Sequence, residues 1–491
     1  MLESELYDLI GKIQARQCEE QVIEVKAAHD GCTEKLYDTF SSFANQNAGG
    51  ALVFGLDEKQ NFKKVGVYNA QDLQKKLMEY GEQMTPVVRP VLTVCSEEDL
   101  MFVSAEIPPV DIADRPCFKT AKGRLQGSYI RVGDADKPMT EYEVYSYEAF
   151  RKKYRDDIRP VPEASLNDLN QEKLEEYILR RISNRPHLAT VPKEQVYHLV
   201  GILQHEQLTL ASLMLFGIYP QALFPQLCVI ATAVPGTEMG LLDEQGRRFT
   251  DSKRIEGTLP ELLDGSLAFV RANMRVSTKI VPETGERIDV PQYPMDAVRE
   301  AILNALVHRD YSFHTEGMPI QLTMFSDRIE ISNPGGLYGR LTIDQLGIAQ
   351  PDTRNPVLVT AMEALHKTEN RYSGIPRIRH AMAEMGLPAP EFIDRRGMFV
   401  VRLYHVNAQE TPTQNRQNIA ADAPIDDPKG LLQFCETPKS RAEIIAHIGV
   451  TSKQYALRKY LTPLVKANKI QLTCPDQPRK RDQQYVTAKP F

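Results

Sequence analysis

Hydrophobic and polar positions alternate with a helical period most clearly between Tyr293 and Tyr311, YPMDAVREAILNALVHRDY. Val298, Ala301, Ile302, Ala305 and Leu306 fall on one side, while Glu300, Asn304 and His308 recur every four residues on another, so the pattern predicts a helix with a packing face and a polar stripe. The same reading places a helix over residues 1–17. A short strand follows through Val22, Ile23 and Val25, carrying Glu24 and Lys26 on one face. A helix in TEKLYDTFSSFANQNAGG turns Leu36, Phe40 and Phe43 inward and closes at Asn47 and the Gly49-Gly50 pair. ALVFGLDEKQNFKKVGV reads as strand, turn and strand with Asp57 at a strand end, and SYIRVGDADKPMT at 128–140 as a further strand.

Beyond a helix and a proline-containing linker at 141–165, amphipathic helices are expected at 169–182 and 258–274. An apolar helix, a break at Pro220 and Pro225, and a buried strand fill 207–234. PIQLTMFSDRIEISNPGGL predicts a hairpin turning near Asp327-Arg328, and 355–392 a helix, a loop and a second helix. Large apolar residues nearly vanish from Asn407 to Pro428, as expected of a flexible linker. The last segment predicts three helices, the second opening on a capping box at Ser440 and Glu443, then two strands around the basic turn Arg479-Lys480-Arg481. That order is the pattern of a winged helix, whose third helix would offer Lys453, Gln454, Arg458 and Lys459 to a DNA groove and whose wing would meet phosphates; Tyr455 lies there too, either as a contact or as core.

At 491 residues the chain is too long for one core, and domains of about 100 to 200 residues are expected. Seven cysteines are scattered with no C-x-x-C pair, which favours neither a disulfide framework nor a zinc site and suits a reducing cytoplasm. His187, His198 and His205 lack partners at ligand spacing and read as structural or surface residues. No apolar run approaches the roughly 18 residues of a membrane span, and the N-terminus lacks a basic leader, so no membrane association is expected. Charge is uneven: from Lys429 onward twelve basic residues face four acidic ones, a local excess of +8 within a chain whose net charge is −6. A cationic module on an acidic chain is the footprint of nucleic-acid contact, duplex DNA foremost and RNA as a further candidate.

Two constellations carry candidate chemistry. A carboxylate and a carboxamide one turn apart suit a phosphate site, the Asn304 amide oxygen holding Mg²⁺ while Glu300 polarises a water; the alternative is the solvated side of an amphipathic helix. The string E-x-x-x-N-A-x-x-H-R-D-Y resembles the first nucleotide-site motif of the GHKL ATPases, in the divergent form found in RecG-like helicase-related proteins and transcriptional regulators with an AlbA-type N-terminal domain. The resemblance implies ATP as ligand, a base contact at Asn333 followed by Gly335, and a phosphate loop at Ser373-Gly374. It is imperfect, because Asn333 stands where an aspartate is expected and Tyr372 where a glycine is.

VIEVK, FANQNAGG and LVFGLDE, in that order, resemble the AlbA-type domain shared with the Schlafen proteins over about 130 residues. That resemblance implies a metal-dependent ribonuclease site, with Mg²⁺ or Mn²⁺ on Glu19, Glu24 and Asp57 and with Lys26 beside them; Glu20 competes with Glu19 for its role.

The expected architecture is therefore α+β and multidomain. An AlbA/Schlafen-like α/β domain spans 1–155, an α/β connecting region 160–290, a GHKL-like α/β sandwich 291–406, a linker 407–428 and a winged helix 429–491. The expected function is that of a cytoplasmic DNA-binding transcriptional regulator with a degenerate nucleotide-binding domain, forming a homodimer by analogy. A metal-dependent nuclease acting on RNA or single-stranded DNA and a nucleotide-switched ATPase are the alternatives. No G-x-x-x-x-G-K-[ST] loop is present, so translocation along DNA is not expected.

Overall fold

The computed structural model describes all residues except 33–34, 244, 281–286, 366–372, 396, 406–429, 449–460, 462–463, 466–468, 474–483 and 488–491. It forms two compact units, Met1–His405 and Val406–Phe491.

The first unit begins with helix α1 (Glu3–Arg16), strand β1 (Ile23–Lys26), α2 (Tyr37–Ala44), β2 (Gly50–Phe54), α3 (Ala70–Glu82), β3 (Val91–Glu97) and β4 (Leu100–Ile107). The strands form a sheet in the order β1-β2-β4-β3, with β1 and β2 parallel and the other pairs antiparallel. Apolar spacing accounts for both layers: Leu6, Ile10 and Ile13 of α1 cover one face with Val25 and Val53, and Phe40, Phe43, Leu73 and Leu77 of α2 and α3 cover the other with Leu52 and Phe54. Gly49 takes φ +68° and a Cβ on Gly50 would overlap the Phe43 ring, so the Gly-Gly pair is what lets α2 pass directly into β2. The single strand expected at 128–140 is instead a hairpin, β5 (Tyr129–Val132) and β6 (Ala135–Pro138), because Gly133 at φ +64° reverses the chain. Helix α4 (Glu141–Lys152) follows, its Thr140–Glu143 capping box complete.

Next come α5 (Gln171–Asn184), α6 (Leu210–Phe216), β7 (Val229–Ala233), β8 (Asp251–Ile255), α7 (Leu259–Asn273), α8 (Met295–His308), β9 (Ile320–Met324), β10 (Arg328–Pro334), α9 (Pro356–Ala364), α10 (Gly374–Glu384), β11 (Glu391–Arg395) and β12 (Met398–Tyr404). Six strands form one sheet in the order β8-β7-β9-β10-β12-β11. A start at residue 291 is too late for this body: β7 pairs in parallel with β9, Val229 opposite Ile320, so part of the region expected to be connective supplies two strands and the helix α7 that packs on them. Val298, Ala301, Ile302, Ala305 and Leu306 of α8 are buried in the resulting core.

In the second unit, α11 (Leu431–Phe434), β13 (Lys439–Ser440), α12 (Arg441–Ile448), β14 (Ile470–Leu472) and β15 (Gln484–Thr487) surround a small core of Leu431, Ile444, Ile448, Leu461, Leu464 and Ile470. The strand order is β13-β15-β14. The Ser440 hydroxyl accepts from the Glu443 N–H at 3.3 Å and the Glu443 carboxylate accepts from the Ser440 N–H at 2.8 Å, the expected capping box. Lys453, Gln454, Tyr455, Arg458, Lys459, Arg479, Lys480 and Arg481 lie outside the described residues.

Candidate functional site

Helix α8 lays Glu300, Asn304 and His308, all half-buried, along one wall of a cavity of ≈ 180 Å³. The opposite walls are β10, the segment 335–354 and the start of α10. Eight residues of helix separate Glu300 from His308, so the two ends of the stripe lie about 12 Å apart.

At the Glu300 end, the Asn304 Nδ2 donates to Glu300 Oε1 at 3.2 Å, which leaves the amide oxygen for another partner. Gly374 opens α10 against this pair: an added Cβ would overlap Glu300 Oε1 and lie 3.1 Å from Asn304 Nδ2. Ser373 makes no side-chain cap there, and the eleven-residue helix opens beside the carboxylate and carboxamide. Residues 366–372, including Tyr372 of the expected phosphate loop, lie outside the described residues.

At the His308 end, burial, reinforced by the Arg354 guanidinium, pushes the His308 imidazole down to about 4. Arg354 is buried, lies over the Tyr338 ring at 5.0 Å and faces Asp310 Oδ2 at 3.5 Å. Burial alone would raise the Asp310 carboxyl, but Arg354 and hydrogen bonds from Ser312 and from Tyr142 (2.8 Å) hold it below its ordinary value. Gly335, at φ +98°, passes so close that a Cβ would meet Arg354 and Asp310. Asn333 is 5% exposed on β10, and its Oδ1 has no hydrogen-bond partner among the described residues. A buried acceptor left open on a cavity wall is what a polar ligand would complete. The residues thus fit a nucleotide with Mg²⁺: Asn304 offers the metal an oxygen, the α10 N-terminus faces the same end, and Asn333 offers a base an acceptor.

The N-terminal carboxylates are placed differently. Arg131 of β5, its side chain 1% exposed, reaches Glu24 Oε2 at 2.6 Å, Asp136 Oδ1 at 3.2 Å and Glu19 Oε2 at 3.7 Å. Lys26 pairs with the other Glu24 oxygen, and Asp136 accepts from Thr39 (2.7 Å) and Ser42 (2.5 Å). Burial raises the Glu19 carboxyl to about 7 against the lowering effect of the Val25 N–H it accepts at 2.8 Å. Asp57 is not drawn in: it caps its own turn, accepting from the Lys59 N–H at 3.0 Å and the Gln60 amide at 2.8 Å. Among the described residues no three His, Cys, Asp or Glu are grouped so as to hold a metal ion. Glu19 and Glu24 therefore meet at Arg131, while Asp57 does not join them in a group that could hold a metal ion. Glu20 pairs with Arg16 and does not replace Glu19. His198 faces Glu206 at 3.0 Å on the surface, as a surface histidine would.

Sequence reasoning passed over Arg131, Asp310 and Arg354. The first two lie inside the quoted strings SYIRVGDADKPMT and VHRDY, but nothing local distinguishes a buried arginine from an exposed one. Their partners are remote in the chain.

Comparison with known proteins agrees with the two resemblances. Residues 19–140 match the family model "Schlafen, AlbA_2", and residues 317–403 match "Putative ATP-dependent DNA helicase recG C-terminal". Residues 147–230 match a domain of unknown function, and residues 426–487 match "Filamentation induced by cAMP protein Fic-like, C-terminal domain". Among solved structures, the DIP2311 protein from Corynebacterium diphtheriae is 17% identical with a TM-score of 0.39, the match covering 99% of this chain and 97% of that one. The N-terminal domain of a RecG-related protein from Nitrosomonas europaea is 24% identical with a TM-score of 0.22, covering 28% of this chain and 93% of that one. Curated proteins yield no match to the chain. Among the described residues no helix is long and apolar enough to cross a membrane.

Proposed function

We propose that this chain, which joins an AlbA/Schlafen-like part to a RecG-related ATPase-like part, is a nucleic-acid-associated regulator that binds a nucleotide beneath α8. The reading is carried by one observation: Glu300, Asn304 and His308 share a cavity with the unpartnered Asn333 oxygen. The family models at 19–140 and 317–403, whose descriptions name AlbA_2 and a DNA helicase, support association with nucleic acid.

In this reading the six-stranded body is a GHKL-like domain. The C-terminal unit is a winged helix that contacts duplex DNA, and the protein regulates transcription. Bound Mg²⁺-nucleotide would supply a polarised phosphate. Asn304 would hold the metal, Glu300 would orient a water, and the α10 N-terminus would stabilise phosphate charge. His308, neutral at pH 7, would read the ligand by hydrogen bonding rather than by charge. A nuclease is not proposed, because Glu24 is paired with Arg131 and Lys26, Asp57 caps its own turn, and among the described residues no three such groups come together to hold a metal ion.

Calorimetric titration of the full chain with Mg-ATP tests the nucleotide site. Saturable binding by the wild type, weakened by Asn304→Ala and no longer strengthened by magnesium in that variant, is expected. No binding tighter than about 1 mM would overturn the reading.

A further inference from the structure

The six-stranded sheet has two outer strands, and they differ. The edge of β11 is crossed by other chain: the Leu337 N–H points to the Asp394 carboxylate at 3.4 Å, and the short helix Ile343–Gln345 lies against the strand. Among the described residues β8 has a ladder with β7 alone, and Asp251, Ser252, Lys253 and Arg254 are exposed on both of its faces. Its outer row of backbone N–H and C=O groups is therefore open to another strand. Charged residues often close such an edge, so what matters is which groups an added strand would set against them.

The same strand of a second copy answers that requirement. A two-fold axis normal to the sheet runs the two strands antiparallel and keeps each residue on its own face, so a residue can face only itself or one an even number of positions away. Centring on Asp251, Lys253 or Arg254 sets like charges against each other, and centring on Ile255 runs the overlap off the end of the strand. Centring on Ser252 does neither. Asp251 of each copy then faces Lys253 of the other, Phe249 faces Ile255, and Arg248 faces Glu256. Arg254, already engaged with Glu256 and the Pro225 carbonyl, stands opposite Thr250.

The ends of the strand fit the same pairing. Exposed Phe249 precedes β8, with exposed Leu241 and Leu242 in the loop before it. At the other end the Tyr219 hydroxyl donates to Glu256 at 2.9 Å, which places exposed Ile218 and Tyr219 beside the strand terminus. Antiparallel pairing brings the first apolar group of one copy towards the second group of the other. We infer that β8 pairs with β8 of a second copy of this chain about a two-fold axis at Ser252, joining two six-stranded sheets edge to edge. Association through this edge requires neither nucleotide nor nucleic acid.

The test is sedimentation velocity of the full chain over a concentration series, beside Asp251→Lys and Lys253→Asp. Each single variant replaces two opposite-charge pairs by two like-charge pairs, and the dimer dissociation constant is expected to rise about tenfold or more. Mixed in equal amounts the two variants face each other with opposite charges at both positions, so dimers should return. Both positions are exposed, and thermal unfolding of each variant checks that the fold is kept. Phe249→Ser, which leaves every charge in place, should also weaken the dimer. A wild type that stays monomeric throughout the series overturns the pairing. So does a dimer that neither charge variant weakens, and so does a mixture that fails to restore what the single variants lose.

Discussion

Arg131→Met removes the only cation that reaches Glu19, Glu24 and Asp136 together among the described residues, while keeping most of the side chain's volume. The side chain is 1% exposed, so water replaces little of what is lost. Two contacts lie within hydrogen-bond distance, at 2.6 and 3.2 Å. At about 1.5–3 kcal/mol for each charge-assisted bond the loss is about 3–6 kcal/mol, in line with about 3–5 kcal/mol for stripping one partner from a buried ion pair.

The cost should also depend on pH. Glu19 already has a folded-state value of about 7 against an ordinary 4.5, so the folded protein holds more protons than the unfolded chain between those values, and stability falls as pH rises through that window. Without the guanidinium the neighbouring carboxyls move the same way, and the variant should lose more at pH 8 than at pH 5. Urea-dependent hydrogen exchange at the amides of β1 and β5 measures the local free energy directly. Arg131→Met/Glu24→Gln should recover part of the loss, because one buried carboxylate has been neutralised. A loss under about 1 kcal/mol at pH 8, or one independent of pH, would refute the view that these acids are a structural ion-pair network.

Two further outcomes concern the α8 cavity. His308 has a folded-state value of about 4, below the ordinary 6.5, so the unfolded state takes up its proton first and stability should fall as pH drops from 6.5 towards 4; His308→Gln should flatten that part of the stability–pH curve. Gly374→Ala places a methyl against the movable end of Glu300 and beside Asn304, so thermal unfolding should shift little while Mg-ATP affinity drops about tenfold, read by the same calorimetric titration.

What could be read in the chain follows the range of the interactions. The α8 stripe was legible because helical period is local: Val298, Ala301 and Ile302 turn inward and Glu300, Asn304 and His308 line the cavity, as their spacing demands. The Ser440–Glu443 box was legible for the same reason. Strand β7 was expected as a buried strand, but its sheet was not, since a parallel pairing of Val229 with Ile320 leaves no mark in either segment. Glu24 illustrates the converse. Alternation put it with Lys26 on a strand face, and only β5, more than a hundred residues on, shows that this face is covered by Arg131.

The Arg354 contacts give the first unit a property that neither resemblance contains. Helix α4, which directly follows the AlbA-like hairpin, sends Tyr142 to Asp310. Asp310 faces Arg354, Arg354 lies over Tyr338, and Tyr338 meets Phe150, back on α4, at 5.5 Å between centroids. The circuit is closed, and two of its members, Arg354 and Tyr338, line the cavity beneath α8. Both Asp310 and Arg354 are almost wholly buried, so neither can exchange its partner for water at low cost. A ligand that engaged Arg354 would compete with Asp310 for the same guanidinium, and the hydrogen bond from Tyr142 would gain or lose strength in step. One wall of the cavity and the helix that follows the AlbA-like hairpin are therefore joined through a single buried ion pair.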